Sequence, residues 1–165
     1  MRKVDSILNF YILKYALFLI KTHDMTNSEG QAIIWKGSFS YDPEEYGFEE
    51  VVNFEMYVTL INGHFEGVSY DDEFRDLYPE LPKVVGTIDD DEIHFVVTYP
   101  VSYSINENDE VVIDEGRKGH EVIYTGTFQK DTNRWAGIWE IMADEETDGD
   151  DIIYTDYSSG EWEMG

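Results

Sequence analysis

From residue 31 onward, apolar and polar side chains alternate with a period of two, and this confines the chain to β-structure. Successive side chains of a strand point to opposite faces, so every second residue lines one face. Ile33, Trp35, Gly37, Phe39 and Tyr41 occupy one such row, with Lys36, Ser38 and Ser40 between them. Phe54, Met56, Val58 and Leu60 form a second row and run into Asn62-Gly63. Asn-Gly tolerates the positive φ angles of a two-residue type I′ hairpin. That turn places Leu60 opposite Phe65 and Val58 opposite Gly67, so apolar positions face apolar positions.

The same pattern recurs. Val84, Gly86 and Ile88 lead into Asp89–Glu92, and Ile93, Phe95, Val97 and Tyr99 return. Val122, Tyr124, Gly126 and Phe128 lead into Lys130–Asn133, and Trp135, Gly137, Trp139 and Ile141 return. Gly160, Trp162 and Met164 make the last strand, and a weaker hairpin lies around Ser102 to Ile113, with a turn cluster at Asn106–Glu110. Short local turns and no helical pattern after residue 25 predict an all-β fold, an antiparallel up-and-down barrel of about eight to ten strands. A two-sheet sandwich would use the same strands. On the inward row, Gly and Trp stand two apart in Trp35-x-Gly37, Trp135-x-Gly137-x-Trp139 and Gly160-x-Trp162. Glycine leaves room for a neighbour's indole, so this alternation is first a packing device.

The first residues break the pattern. Val4, Ile7, Leu8, Tyr11, Ile12, Tyr15, Phe18 and Leu19 share one face of a helical wheel, with Arg2, Asp5 and Asn9 roughly opposite. Residues 1–24 are thus expected to form an amphipathic helical segment outside the barrel, and residues 25–165 the barrel domain. Lys14 interrupts the apolar run, which is too short to span a bilayer. The segment suits a barrel cap, a docking element or a surface contact with a membrane; alternatively, Met25 is the true start and the segment an upstream extension. The formal charge of −25 divides into +2 over residues 1–24 and −27 over the rest. Such a field repels phosphate backbones and anionic membranes and favours cationic partners; solubility alone is the simpler account of it. Cysteine is absent, which excludes disulfides and thiolate chemistry and fits a cytoplasmic location.

Trp35-Lys36-Gly37-Ser38, His120 to Gly126, Gly137-Ile138-Trp139-Glu140-Ile141 and Gly160-Glu161-Trp162-Glu163-Met164 carry a resemblance. The chain resembles the calycin barrels, the lipocalins and avidin-type proteins, which open on a strand with Gly and Trp close together and run as an antiparallel meander. It is also similar to small uncharacterised bacterial proteins patterned WKGS, HxIxYxG, GxWEI and GxWEM. The resemblance spans roughly residues 33 to 164 and implies a fold. It does not imply biotin or retinoid binding, because the first strand lacks an avidin-like set of hydrogen-bonding ligands and lipocalin disulfides are impossible here.

No nucleophile elbow, phosphate loop or dinucleotide fingerprint is present. No two of the four histidines stand at metal-ligand spacing. His64 and His94 fall on outward rows, whereas His120 shares the inward parity of Val122 and Tyr124. The run Asp144 to Asp151 matches the first acidic positions and the glycine of a calcium loop but has Thr155 where a bidentate Glu is required, so it reads as an exposed acidic hairpin loop. The inward row holds almost no ionisable groups, which points away from catalysis, metals and cofactors and leaves Tyr41, Tyr99 and Tyr124 as polar handles. Two functions follow as expectations. One is a small acidic binding module whose barrel interior, lined by Trp35, Phe39, Phe95, Tyr99, Tyr124, Trp139 and Trp162, takes an apolar or aromatic molecule. The other is a protein-interaction role, as an antitoxin, immunity or inhibitor protein covering a basic partner. An enzyme ranks third. An open interior favours the first, and a filled one the second.

Overall fold

The computed structural model describes residues 30–41, 50–72, 80–105, 111–114, 116, 119–141, 145–148, 151–154 and 158–165. The N-terminal segment, and with it the expected amphipathic helix, lies outside the described residues.

The Asn62-Gly63 hairpin sets the register of the first strands. Asn62 has φ 50° and Gly63 φ 79°, the left-handed pair that a type I′ turn requires. Leu60 faces Phe65 and Val58 faces Gly67, as the apolar pattern demands. The turn is held from the side by the Ile88 amide, which donates to the Gly63 carbonyl at 2.7 Å. Gly63→Val forces a β-branched residue into positive φ and should cost about 1–3 kcal/mol. A urea titration checks this, and an unchanged midpoint would count against the turn.

The strands in chain order are β1 (Gln31–Tyr41), β2 (Val51–Ile61), β3 (His64–Asp71), β4 (Lys83–Asp89), β5 (Glu92–Thr98), β6 (Ser102–Ile105), β7 (Val111–Asp114), β8 (Glu121–Gln129), β9 (Arg134–Ile141), β10 (Glu145–Asp148), β11 (Asp151–Tyr154) and β12 (Ser159–Met164). Eight of them close into an antiparallel barrel in the order β1-β12-β9-β8-β5-β4-β3-β2. This is an up-and-down meander in which β12 returns to pair with β1, so the barrel has no free edge. The sandwich alternative is thereby replaced. The two remaining pairs, β6-β7 and β10-β11, are two-stranded sheets inserted into the meander. The weak hairpin around Ser102 is the first, pairing Ser102 with Asp114. The acidic run is the second, with Glu145–Asp148 laddered to Asp151–Tyr154.

The short turns at Asn62-Gly63, Asp90-Asp91 and Lys130–Asn133 all lie at one end of the barrel, together with the start of β1 and the end of β12. The four longer connections, β1 to β2, β3 to β4, β5 to β8 and β9 to β12, leave from the other end. The inward rows fill the space between. Met56, Val58, Phe95 and Met164 are fully buried, and Phe54, Phe65, Val84, Ile93, Val97 and Val122 pack with them.

Candidate functional site

The seven aromatics assigned to the interior are all buried, but they do not form one wall around a space. Six of them fall into three groups, and Tyr99 lies beside His120. Near the short-turn end, Trp35 packs edge-on against Phe65, with ring centroids 5.1 Å apart. In the middle, Phe95 stacks on Tyr124 at 4.5 Å and 6°. Trp162 meets both edge-on, at 5.2 and 5.9 Å. Towards the long-connection end, Phe39 and Tyr41 each meet Trp139 edge-on, at 5.8 and 5.3 Å.

The indoles are threaded across glycines. On β9, Trp139 stands in register with Gly160 of β12, which in turn faces Tyr41 of β1. The indole therefore crosses β12 and donates to the Ser40 carbonyl on β1 at 2.9 Å. A Cβ at Gly160 would collide with that carbonyl and with the Trp139 indole nitrogen. Trp162 stands in register with Gly137, and Gly137 with Gly126. Its indole N–H is shared between the carbonyls of Ile138 at 3.0 Å and Thr125 at 3.2 Å. A Cβ on Gly126 would lie 2.7 Å from the Trp162 ring. Gly137, expected to admit an indole by its missing side chain, is constrained first by backbone: a Cβ there would meet the Thr125 carbonyl and the Gly126 Cα.

Among the described residues, the space left inside the barrel is small. A pocket of about 10 Å³ lies among Phe39, Phe54, Met56, Ser69, Asp71, Phe95, Val97, Tyr99 and Tyr124. That is room for about one water molecule. Ser69 and Asp71 sharpen the picture of this end. Asp71 is only 4% exposed and is the exception to an inward row almost without ionisable groups. The Tyr99 hydroxyl donates to its Oδ2 at 3.2 Å, since a buried carboxylate requires such donors. The signal was present in the sequence: the inward row of β3 continues from Phe65 through Gly67 and Ser69 to Asp71. His120 is half-buried, and its ring lies 5.0 Å from that of Tyr99, whose amide donates to the His120 carbonyl at 3.1 Å. His64 and His94 are exposed, as their parity requires.

The outer wall carries charge of one dominant sign, and the described basic residues are largely engaged. Lys36 pairs with Glu55 at 2.7 Å, Lys130 with Asp91 at 2.6 Å and Arg134 with Glu163 at 3.4 Å. On this wall the Tyr57 hydroxyl donates to Glu55 at 2.5 Å. Burial, then the hydrogen bond to Glu55 and its charge, push the Tyr57 phenol up to about 12 from 10.0. Tyr57 therefore stabilises the fold fully below pH 10, and this contribution is lost as pH rises through about 12. Ultraviolet titration of Glu55→Gln should bring the Tyr57 transition down; no movement would show that Glu55 does not hold the proton.

Comparison with family models, curated proteins and solved structures returned no match. The eight-stranded antiparallel closed barrel is compatible with a calycin-like fold. Among the described residues no helix is long and apolar enough to cross a membrane, and no group of three or more His, Asp or Glu is placed to hold a metal ion.

Proposed function

We propose that the chain is a small acidic binding module that works through the outside of its barrel, covering a protein partner with a basic face. An interior in which the described residues leave room for about one water molecule carries this reading, because it makes the outer surface the place where specificity can reside. The charge of −25 supports it. So do the ion pairs that neutralise Lys36, Lys130 and Arg134 on the wall. A one-signed surface steers an oppositely charged partner into encounter and rejects like-charged ones. An antitoxin, immunity or inhibitor role is the form this takes, in the cytoplasm, on a barrel related to the calycins. The small-molecule reading uses the same fold: an apolar or aromatic ligand would have to part Phe95, Tyr124 and Trp162 from one another to enter.

Native mass spectrometry of the protein taken from its own host separates the two. The partner reading expects a retained basic protein that is released as salt is raised, because screening weakens exposed charge pairs. A retained small molecule in place of a protein would overturn it.

A further inference from the structure

Two open grooves, of about 520 and 550 Å³, lie on the outer wall to either side of β9, and Ala136, Gly137 and Ile138 line both. Register accounts for their shape. Glu92, Thr127, Ala136 and Glu163 stand side by side across β5, β8, β9 and β12. In the neighbouring outward row, His94, Thr125, Ile138 and Glu161 do the same. The two middle positions of each row are uncharged. The outer positions are longer and, His94 apart, acidic. Asp89 stands beside Glu92 and doubles that rim. The two rows make a trough with an uncharged floor and a carboxylate rim on each side. The rims are three strand steps apart, or about 14 Å.

Exposed apolar side chains alone do not pick out this face. Ile34 and Val85 are 58% and 61% exposed, against 51% for Ile138, but neither lines either groove. Charge adds a second distinction. Arg134 engages Glu163, whereas Asp89, Glu92 and Glu161 have no ion pair among the described residues.

The shape of the occupant follows from the barrel. Closure leaves no strand edge to pair with, so a partner must seat side chains on the sheet face. A helix with its side chains is about 10–12 Å across, which fits between rims about 14 Å apart. We infer that the trough over Ala136 and Ile138 receives an amphipathic helix of another, basic protein; this rests on the reading that the acidic wall covers such a partner. The apolar stripe of that helix lies on the floor. Its lysines or arginines meet Glu161 and Glu163 along one flank and Asp89 and Glu92 along the other.

The probe is a designed peptide helix with an alanine-leucine stripe between two rows of lysine, titrated into the full chain at low ionic strength. Ile138→Lys and Val85→Lys each add one positive charge at an exposed position, and β9 and β4 lie three strands apart around the barrel. Ile138→Lys should weaken peptide binding roughly tenfold, as loss of a central anchor does. Val85→Lys should weaken it by about twofold or less, as a remote surface charge does. Equal weakening by the two variants, or no binding to the parent chain, would overturn the trough. Both results leave the proposed function standing, which falls instead if protein from its own host retains a small molecule. A measurement on the unsubstituted chain covers the case in which a variant fails to fold. On titration with the peptide, the amide resonances of Thr125, Thr127, Ala136 and Ile138 should show the largest shifts, and largest shifts on β2 and β3 would overturn the inference.

Discussion

Trp162→Ala should lower stability by about 3–5 kcal/mol, the range for truncating a large buried aromatic. The residue is 3% exposed and packs edge-on against both Phe95 and Tyr124. Its loss would leave a void flanked by Gly126 and Gly137, where no side chain can swing in. The indole N–H also bridges the carbonyls of Thr125 and Ile138, so the variant removes a link between β12 and the β8-β9 pair. Urea unfolding followed by far-ultraviolet circular dichroism measures the loss. A change under about 1 kcal/mol would mean that the site collapses readily and that the indole is not central to the packing.

Gly137→Leu should be comparably damaging, for a different reason. Its Cβ would fall on the Thr125 carbonyl and the Gly126 Cα, backbone atoms of the neighbouring strand that cannot rotate away as a flexible side chain would. Overpacking of this kind costs about 1–3 kcal/mol and more where backbone must shift. The β8-β9 ladder would have to part at the Gly126–Gly137 pair. Gly137→Ala already carries the Cβ, so it should show most of the effect. If Gly137→Ala folds with the parent's midpoint, the close approach is not limiting.

Much of the barrel could be read from the sequence because its period is two and its turns are short. Asn62-Gly63 fixed both the turn and the register of β2 on β3, and the alternation of Phe65, Gly86, Phe95, Tyr124 and Trp139 follows one row of register partners around the wall. Closure of β12 on β1 was harder to see, since it depends on contacts between the two ends of the domain rather than on any local pattern. The interior's state was also hidden: parity says which aromatics point inward, but whether they leave a cavity depends on volumes and rotamers. Asp71 is harder to place from sequence, because a charged residue at a strand end also suits the start of a loop, although the two-residue step from Ser69 points it inward. In Val84-Val85, Val96-Val97 and Val122-Ile123, one residue of each pair serves the core and the other faces out.

The filled interior is the claim on which the functional account turns, and contact quenching tests it. In Trp135→Phe protein, which removes the half-buried indole, a brominated apolar ligand should leave native tryptophan emission unchanged, because the remaining Trp35, Trp139 and Trp162 are only 8%, 3% and 3% exposed and a heavy-atom quencher acts only at contact. Quenching should appear only once urea begins to unfold the barrel. Saturable, one-to-one quenching of the native protein, abolished by mild destabilisation, would contradict the account and return the function to the barrel interior.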